Sequence, residues 1–70
     1  MYRFAEYKGG KFSRYLSHWM ELPVAIEAFR NVLAQTGWHE HDDILAMCDP
    51  QLSIVVLDEF DQPIRNAKIL

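Results

Sequence analysis

Apolar positions between residues 23 and 36 recur at the spacing of a helix, and they define the clearest element of the chain. Pro23 suits the first turn of a helix, and Gly37 can take a left-handed conformation just past the end. We therefore predict a helix over 23–36 that needs a sheet to pack on. Its apolar stripe consists of Ala25, Ile26, Phe29, Val32, Leu33 and Thr36.

The first nineteen residues favour a β-hairpin. Strand-forming residues at 2–8 and 12–19 flank Gly9 and Gly10, which suit a tight turn. Two registers are open. A two-residue glycine turn places Lys8 opposite Lys11, whereas a three-residue loop that includes Lys11 places Glu6 opposite Arg14. Turn chemistry favours the first register and side-chain pairing favours the second, which we expect.

The second half of the chain predicts two further strands and a short helix. Apolar residues at 52–57 indicate a central strand covered on both faces, and residues 64–69 return as a last strand after Pro63. Between them and the main helix, Asp42 or Asp43 could cap a short helix through Met47, ended by Pro50. The expected order is ββα(α)ββ in a single α+β domain over 1–70, an antiparallel sheet with one main helix packed on one face.

Composition limits the class of protein. The chain has 70 residues, of which 50% are hydrophobic and 24% charged, so it can fold, but only around a small core. The single cysteine, Cys48, cannot form an intrachain disulfide, and we expect it to be buried. The longest apolar run, 54–57, is too short to cross a bilayer, and the N-terminal residues lack a secretory signal. We therefore expect a cytoplasmic protein without a membrane partner.

Catalytic and metal-binding patterns are weak. His39 and His41 stand beside three carboxylates, yet two histidines two residues apart share a face only in an extended segment, and no second ligand pair exists. A nucleophile such as Cys48 would need to be accessible and oriented by a base. A chain of this size also has little room for a substrate cavity. We expect no enzyme activity, no cofactor and no metal.

Charge and aromatic residues are unevenly distributed. Residues 1–37 hold five basic and three acidic side chains, whereas residues 38–70 hold two basic and seven acidic ones. Six of the nine aromatic residues lie in the first nineteen, among four basic residues, which is typical of single-stranded nucleic-acid binding. The acidic balance and the absence of a ribonucleoprotein motif argue against that function. Because one helix covers only one face of a sheet, the remaining aromatics are expected to form a protein interface.

We therefore expect a non-enzymatic protein-binding module, an inhibitor or adaptor of an unidentified protein. The alternatives are a single-stranded nucleic-acid binder and a structural homodimer, and self-association would supplement the small core. In size, acidity and single-sheet build the chain is similar in type to small accessory proteins of phages and mobile elements, such as anti-CRISPR inhibitors and inhibitors of host enzymes, without sharing a motif. The candidate binding residues are Arg3, Tyr7, Lys11, Arg14, Tyr15 and Trp19 in the hairpin, with Asp58, Glu59 and Asp61 in the acidic half.

Overall fold

The computed structural model describes residues 1–65, which form one helix and one five-stranded antiparallel sheet. The α+β class and the single main helix are confirmed, with five strands instead of four. In sheet order, the strands run β2-β1-β5-β4-β3. The elements are β1 (Tyr2–Lys8), β2 (Lys11–Tyr15), α1 (Leu22–Thr36), β3 (His39–Glu40), β4 (Ala46–Cys48) and β5 (Leu52–Asp58).

The main helix ends where the sequence predicts. Gly37 has φ 68° and ψ 16°, and its N–H donates to the carbonyl of Leu33 at 3.1 Å. This left-handed conformation carries little cost for glycine and satisfies one of the last carbonyls of the helix. Ala25 and Phe29, in the middle of the predicted stripe, are buried against the sheet.

The two faces of the sheet are covered differently. On the first, the helix-covered face, α1 packs over large side chains that include Phe4, Met47 and Val56. The opposite face, which we name the aromatic face, has a smaller cluster whose described members all come from strands and the segment before β4. That cluster consists of Ala5, Ala46, Val55 and Leu57, with Tyr7 and Ile44 packed against it.

Both hairpin registers occur, in different parts of the same hairpin. Gly9 and Gly10 have positive φ values of 58° and 80°, and the two-residue turn pairs Lys8 with Lys11. An irregularity between Glu6 and Tyr7 then shifts the pairing, so that Glu6 lies opposite Arg14. Ser13 is the extra residue of this bulge. The bulge satisfies the turn preference of the glycines and the charge pairing together.

The predicted short helix over 42–47 is wrong. The chain instead bends after β3 and forms β4, where Ala46 pairs with Val55 of β5. Leu45 and Met47 belong to the helix-covered cluster, whereas Ala46 between them belongs to the cluster on the aromatic face. Successive side chains point to opposite faces only in an extended chain, so burial on both faces selects a strand here.

The prediction of a central strand is confirmed by β5, which pairs with β1 on one side and β4 on the other. Of the predicted last strand, residues 66–69 lie outside the described residues. Before them, Pro63 forms an isolated bridge with Leu57, and the N–H of the buried Ile64 donates to the carbonyl of Val56 at 3.3 Å. In residues 1–65, no helix has the length and apolar character needed to cross a membrane.

Candidate binding face

Arg3 lies on the aromatic face with its guanidinium group between two rings. The guanidinium carbon is 3.4 Å from the centre of the Tyr15 ring and 4.2 Å from that of Trp19. Tyr15 is opposite Ala5 in the hairpin, so it shares the face of Arg3. Both rings attract the cation through their electron-rich faces.

Trp19 reaches this position because the chain after β2 continues along β1. The N–H of Phe4 donates to the Oγ of Ser17 at 2.9 Å, in place of a strand partner. Tyr2 and Met20 then exchange two backbone hydrogen bonds, at 2.8 and 2.7 Å. These bonds fix the backbone of 17–20 against the sheet, and they hold Trp19 beside Arg3.

Asp61 completes the cluster from the turn after β5. Its carboxylate accepts a hydrogen bond from the Tyr15 hydroxyl at 2.9 Å and lies 3.5 Å from a terminal nitrogen of Arg3. Asp61 has a positive φ of 59°, a conformation that aspartate tolerates better than most residues. The carboxylate of Asp58 shapes the turn by accepting from the N–H groups of Phe60 and Gln62.

The electrostatics of the cluster follow from these contacts. The pKa of the Tyr15 hydroxyl is raised above 10.0, mainly by its hydrogen bond to the Asp61 carboxylate and to a smaller extent by desolvation. The positive charge of Arg3 opposes this shift. The Nε of Arg3 is buried and has no hydrogen-bond partner among the described residues. Arg3 is therefore held by stacking and by its ion pair with Asp61.

Two more rings extend the cluster along the hairpin. Phe12 contacts Tyr15 with ring centres 4.8 Å apart, and Tyr7 contacts Phe12 edge-on at 5.9 Å. Phe12, Tyr15 and Trp19 remain 49%, 39% and 40% exposed. The result is a row of partly exposed rings across β1 and β2, from Tyr7 through Phe12 to Tyr15, and Arg3 links this row to Trp19.

Beside this row the aromatic face has an open depression of about 260 Å³. Its floor includes Val55 of the central strand, which is 7% exposed. The depression is large enough to hold one apolar side chain. Its described lining consists of Tyr7, Gly10, Ile44, Ser53, Val55 and Pro63.

The structure brings together five of the nine candidate binding residues, and they come from both halves of the sequence. The two groups lie in separate parts of the sequence, yet Asp61 joins the hairpin residues on one face. The residues that meet in or beside the row of rings are Arg3, Tyr7, Tyr15, Trp19 and Asp61.

The other four candidates lie elsewhere. Arg14 pairs with Glu6, and its nitrogen is 3.5 Å from the carboxylate on the helix-covered side of the hairpin. Lys11 is exposed at the hairpin turn, and Glu59 is exposed in the turn after β5. Asp58 serves the backbone of that turn.

Three residues of the aromatic face were not among the candidates predicted from the sequence. Phe12 is one of the six aromatic residues near the N-terminus but not one of the candidate binding residues. The two-residue glycine turn places it opposite Tyr7. Ile44 and Pro63 line the depression from segments predicted to be a short helix and the start of a strand. Only their long-range pairing with the sheet reveals that position.

Other chemistry is sparse in the part of the chain that the structure describes. Residues 1–65 contain no group of three histidine, cysteine or acidic side chains placed to hold a metal ion. His39 lies opposite Cys48 in the β3–β4 pair, and the Nδ1 of His41 accepts from the N–H of Asp43 at 3.1 Å. Cys48 is half-buried instead of fully buried.

Comparisons with known proteins leave the aromatic face as the main guide to function. No family model, no curated protein and no solved structure matches the chain.

Proposed function

We propose that this chain is a non-enzymatic protein-binding module, an inhibitor or adaptor, and that it binds through the aromatic face. The observation that carries the proposal is the row of half-exposed rings fixed by Arg3 and Asp61 on the face that α1 does not cover. Resemblance in type to phage accessory proteins remains part of this proposal.

The chemistry of the row suits a protein partner. Tyrosine, tryptophan and arginine are enriched at the centres of interfaces, where each truncation often weakens binding strongly. The contacts among Arg3, Tyr15 and Trp19 already restrict these side chains, so binding costs less conformational entropy. The neighbouring depression adds a place for an apolar anchor.

Binding of single-stranded nucleic acid, the alternative function, is less well supported because the arginines of the hairpin are already in ion pairs. Phosphate binding draws its affinity from cations that are free to replace counterions. Arg3 is already paired with Asp61, and Arg14 is paired with Glu6 on the other side of the hairpin. The rings on this face therefore lack the surrounding positive charge that a nucleic-acid backbone requires.

Affinity capture from nuclease-treated lysate tests the proposal. Trp19→Ala is the test variant, and Val24→Ala is its matched control, because Val24 is an exposed apolar residue on α1. We expect a protein that is retained by the parent and by Val24→Ala but lost with Trp19→Ala. That protein, identified by mass spectrometry and purified, should bind with an affinity that changes little with salt. Equal capture by all three chains, or capture that nuclease abolishes, would overturn the proposal.

A further inference from the structure

We infer that the aromatic face binds an uncharged, proline-rich segment of its partner in the polyproline II conformation. This inference rests on the proposed function, because it takes the same face and names the chemistry of the segment that the face recognises. Polyproline II is an extended left-handed helix without internal hydrogen bonds, so its backbone carbonyls are open to donors. The face matches such a segment in charge, in hydrogen-bonding groups and in shape.

The charges of the face are balanced internally. The Asp61 carboxylate accepts a hydrogen bond from Tyr15 and lies 3.5 Å from Arg3, whose guanidinium group is also held between two rings. No other charged residue belongs to the row of rings or to the described lining of the depression. A charged side chain of a partner would therefore lose hydration here without gaining a counter-charge. The face is complementary to a segment without charges.

Three hydrogen-bond donors remain open on this face. The indole N–H of Trp19 and the hydroxyls of Tyr7 and Ser53 have no hydrogen-bond partner among residues 1–65. The carbonyls of a proline-rich segment can accept from them, because proline has no N–H to occupy those carbonyls within the segment. A helical segment would instead bring carbonyls that are already bonded, and it would leave the donors dehydrated and unpaired. The donors therefore favour polyproline II over a helix.

The depression is elongated along the strands and lies beside the row of rings. Gly10 and Ser53 line it near the hairpin turn, and Pro63, which forms a bridge with Leu57, lines it toward the other end. The strand from Ser53 to Leu57 covers about 13 Å. About four residues of polyproline II cover the same distance at about 3.1 Å per residue. The shape suits a narrow rod that lies along the strands.

The rings form the wall against which the prolines pack. Proline-rich segments dock in grooves lined by aromatic residues, where the apolar proline rings meet the aromatic rings. Phe12, Tyr15 and Trp19 are partly exposed along this wall, and Arg3 fixes the last two by stacking. A proline-rich segment is itself stiff before it binds. Little conformational entropy is therefore lost on either side.

The sheet edges are poorer sites for an extended segment. β2 is one edge strand, but the bulge at Ser13 interrupts its pattern of backbone groups, and Lys11 and Arg14 lie on either side of that position. Bulges and positive charges on an edge strand oppose pairing with another strand. β3, at the other edge, is only two residues long. The segment therefore uses the face.

A capped peptide of about nine prolines tests the inference. It spans about 28 Å, so it can reach along the whole depression. In an NMR titration of the whole chain, the indole N–H signal of Trp19 should shift in a saturable way. The signal of Trp38, which packs against the helix-covered cluster, should not shift. A flexible peptide of glycine and serine of the same length should bind at least about tenfold more weakly.

Two tyrosines give a matched pair of variants. Tyr7→Phe removes only a hydroxyl from the face and should raise the Kd of the proline peptide about fivefold, as expected for one lost hydrogen bond. Tyr2→Phe removes a hydroxyl from a ring that packs against the helix-covered cluster, so the Kd should not change. Added salt should change the Kd of the parent little, because no charges meet.

Four outcomes of the peptide experiments would overturn the inference. The first is no saturable shift of the Trp19 signal up to about 1 mM peptide. The second is equal binding of the two peptides, and the third is equal Kd values for Tyr7→Phe and Tyr2→Phe. The fourth is a Trp19 shift that follows the concentration of the chain itself without any peptide, which would assign the face to a second copy.

Affinity capture separates this inference from the proposed function. A protein whose capture depends on Trp19 should be displaced by the proline peptide. If it is not displaced, or if an uncharged amphipathic helical peptide displaces it instead, the proline-rich segment is overturned and the proposed function stands. Absence of any Trp19-dependent protein overturns the proposed function, whatever the peptide does.

Discussion

Val55 and Val56 are neighbours in the central strand, yet they are buried by different means. Val56 lies under α1, in a cluster with Phe4 and Phe29. Val55 faces the other way, beside Ala5 and Ala46, and no residue of α1 is among the described members of its cluster. Its cover comes from Tyr7, Ile44 and Pro63 around the open depression.

This difference explains why one face is a core and the other a candidate interface. A helix supplies a third layer that excludes water from the large side chains beneath it. On the aromatic face, small residues form the floor and larger side chains stand around it, so Tyr15 and Trp19 remain partly exposed. A partner gains most by covering the face whose rings are ordered but still hydrated.

The largest effect is expected on the helix-covered face. Phe29 is 1% exposed at the middle of α1, and Phe29→Ala should destabilise the protein by about 3–5 kcal/mol through lost packing and a cavity. Urea unfolding monitored by circular dichroism measures this change. Val24→Ala, at an exposed position of the same helix, should cost under about 0.5 kcal/mol. An unchanged urea midpoint for Phe29→Ala would contradict the packing of α1.

The direct comparison of the two faces is Val56→Ala against Val55→Ala. Each change removes two methyl groups, for a transfer loss of about 1.6 kcal/mol. Val56→Ala should cost more, because it also leaves an enclosed cavity, whereas Val55 borders the open depression and water can enter. Urea unfolding in dilute solution should show this order, and equal costs would contradict it.

Much of the fold follows from local patterns in the sequence. Three features could be predicted because each depends only on residues close by in the sequence. They are the apolar stripe around Phe29, the helix end at Gly37 and the apolar run of β5. The prediction of a helix over 42–47 was wrong because β4 is only three residues long, and because Asp42 and Asp43 before it are typical of a helix start. Its conformation depends on pairing with β5, which no local pattern reveals.

The candidate site was predictable by residue type and not by arrangement. Rings and cations in the hairpin indicated a binding surface, but Arg3 and Asp61 are far apart in sequence and meet only through the turn after β5. The bulge at Ser13 puts Arg14 opposite Glu6 on the helix-covered face and Tyr15 opposite Ala5 on the aromatic face. One shifted register therefore decided which basic residue joins the rings.

The smallest expected effect is a titration that reports the contact between Tyr15 and Asp61. Since the pKa of Tyr15 is raised above 10.0, its contribution to stability is complete below that pH and is lost as the pH rises through the raised pKa. The difference in tyrosinate absorbance between the parent and Tyr15→Phe isolates this residue from Tyr2 and Tyr7. Asp61→Ala should lower the pKa of Tyr15, because Arg3 then acts without the opposing carboxylate. Glu59→Ala removes a nearby carboxylate that makes no hydrogen bond to Tyr15, so it should leave the pKa of Tyr15 unchanged. An equal shift of the Tyr15 pKa in both variants would mean that long-range charge, and not the contact with Asp61, raises it.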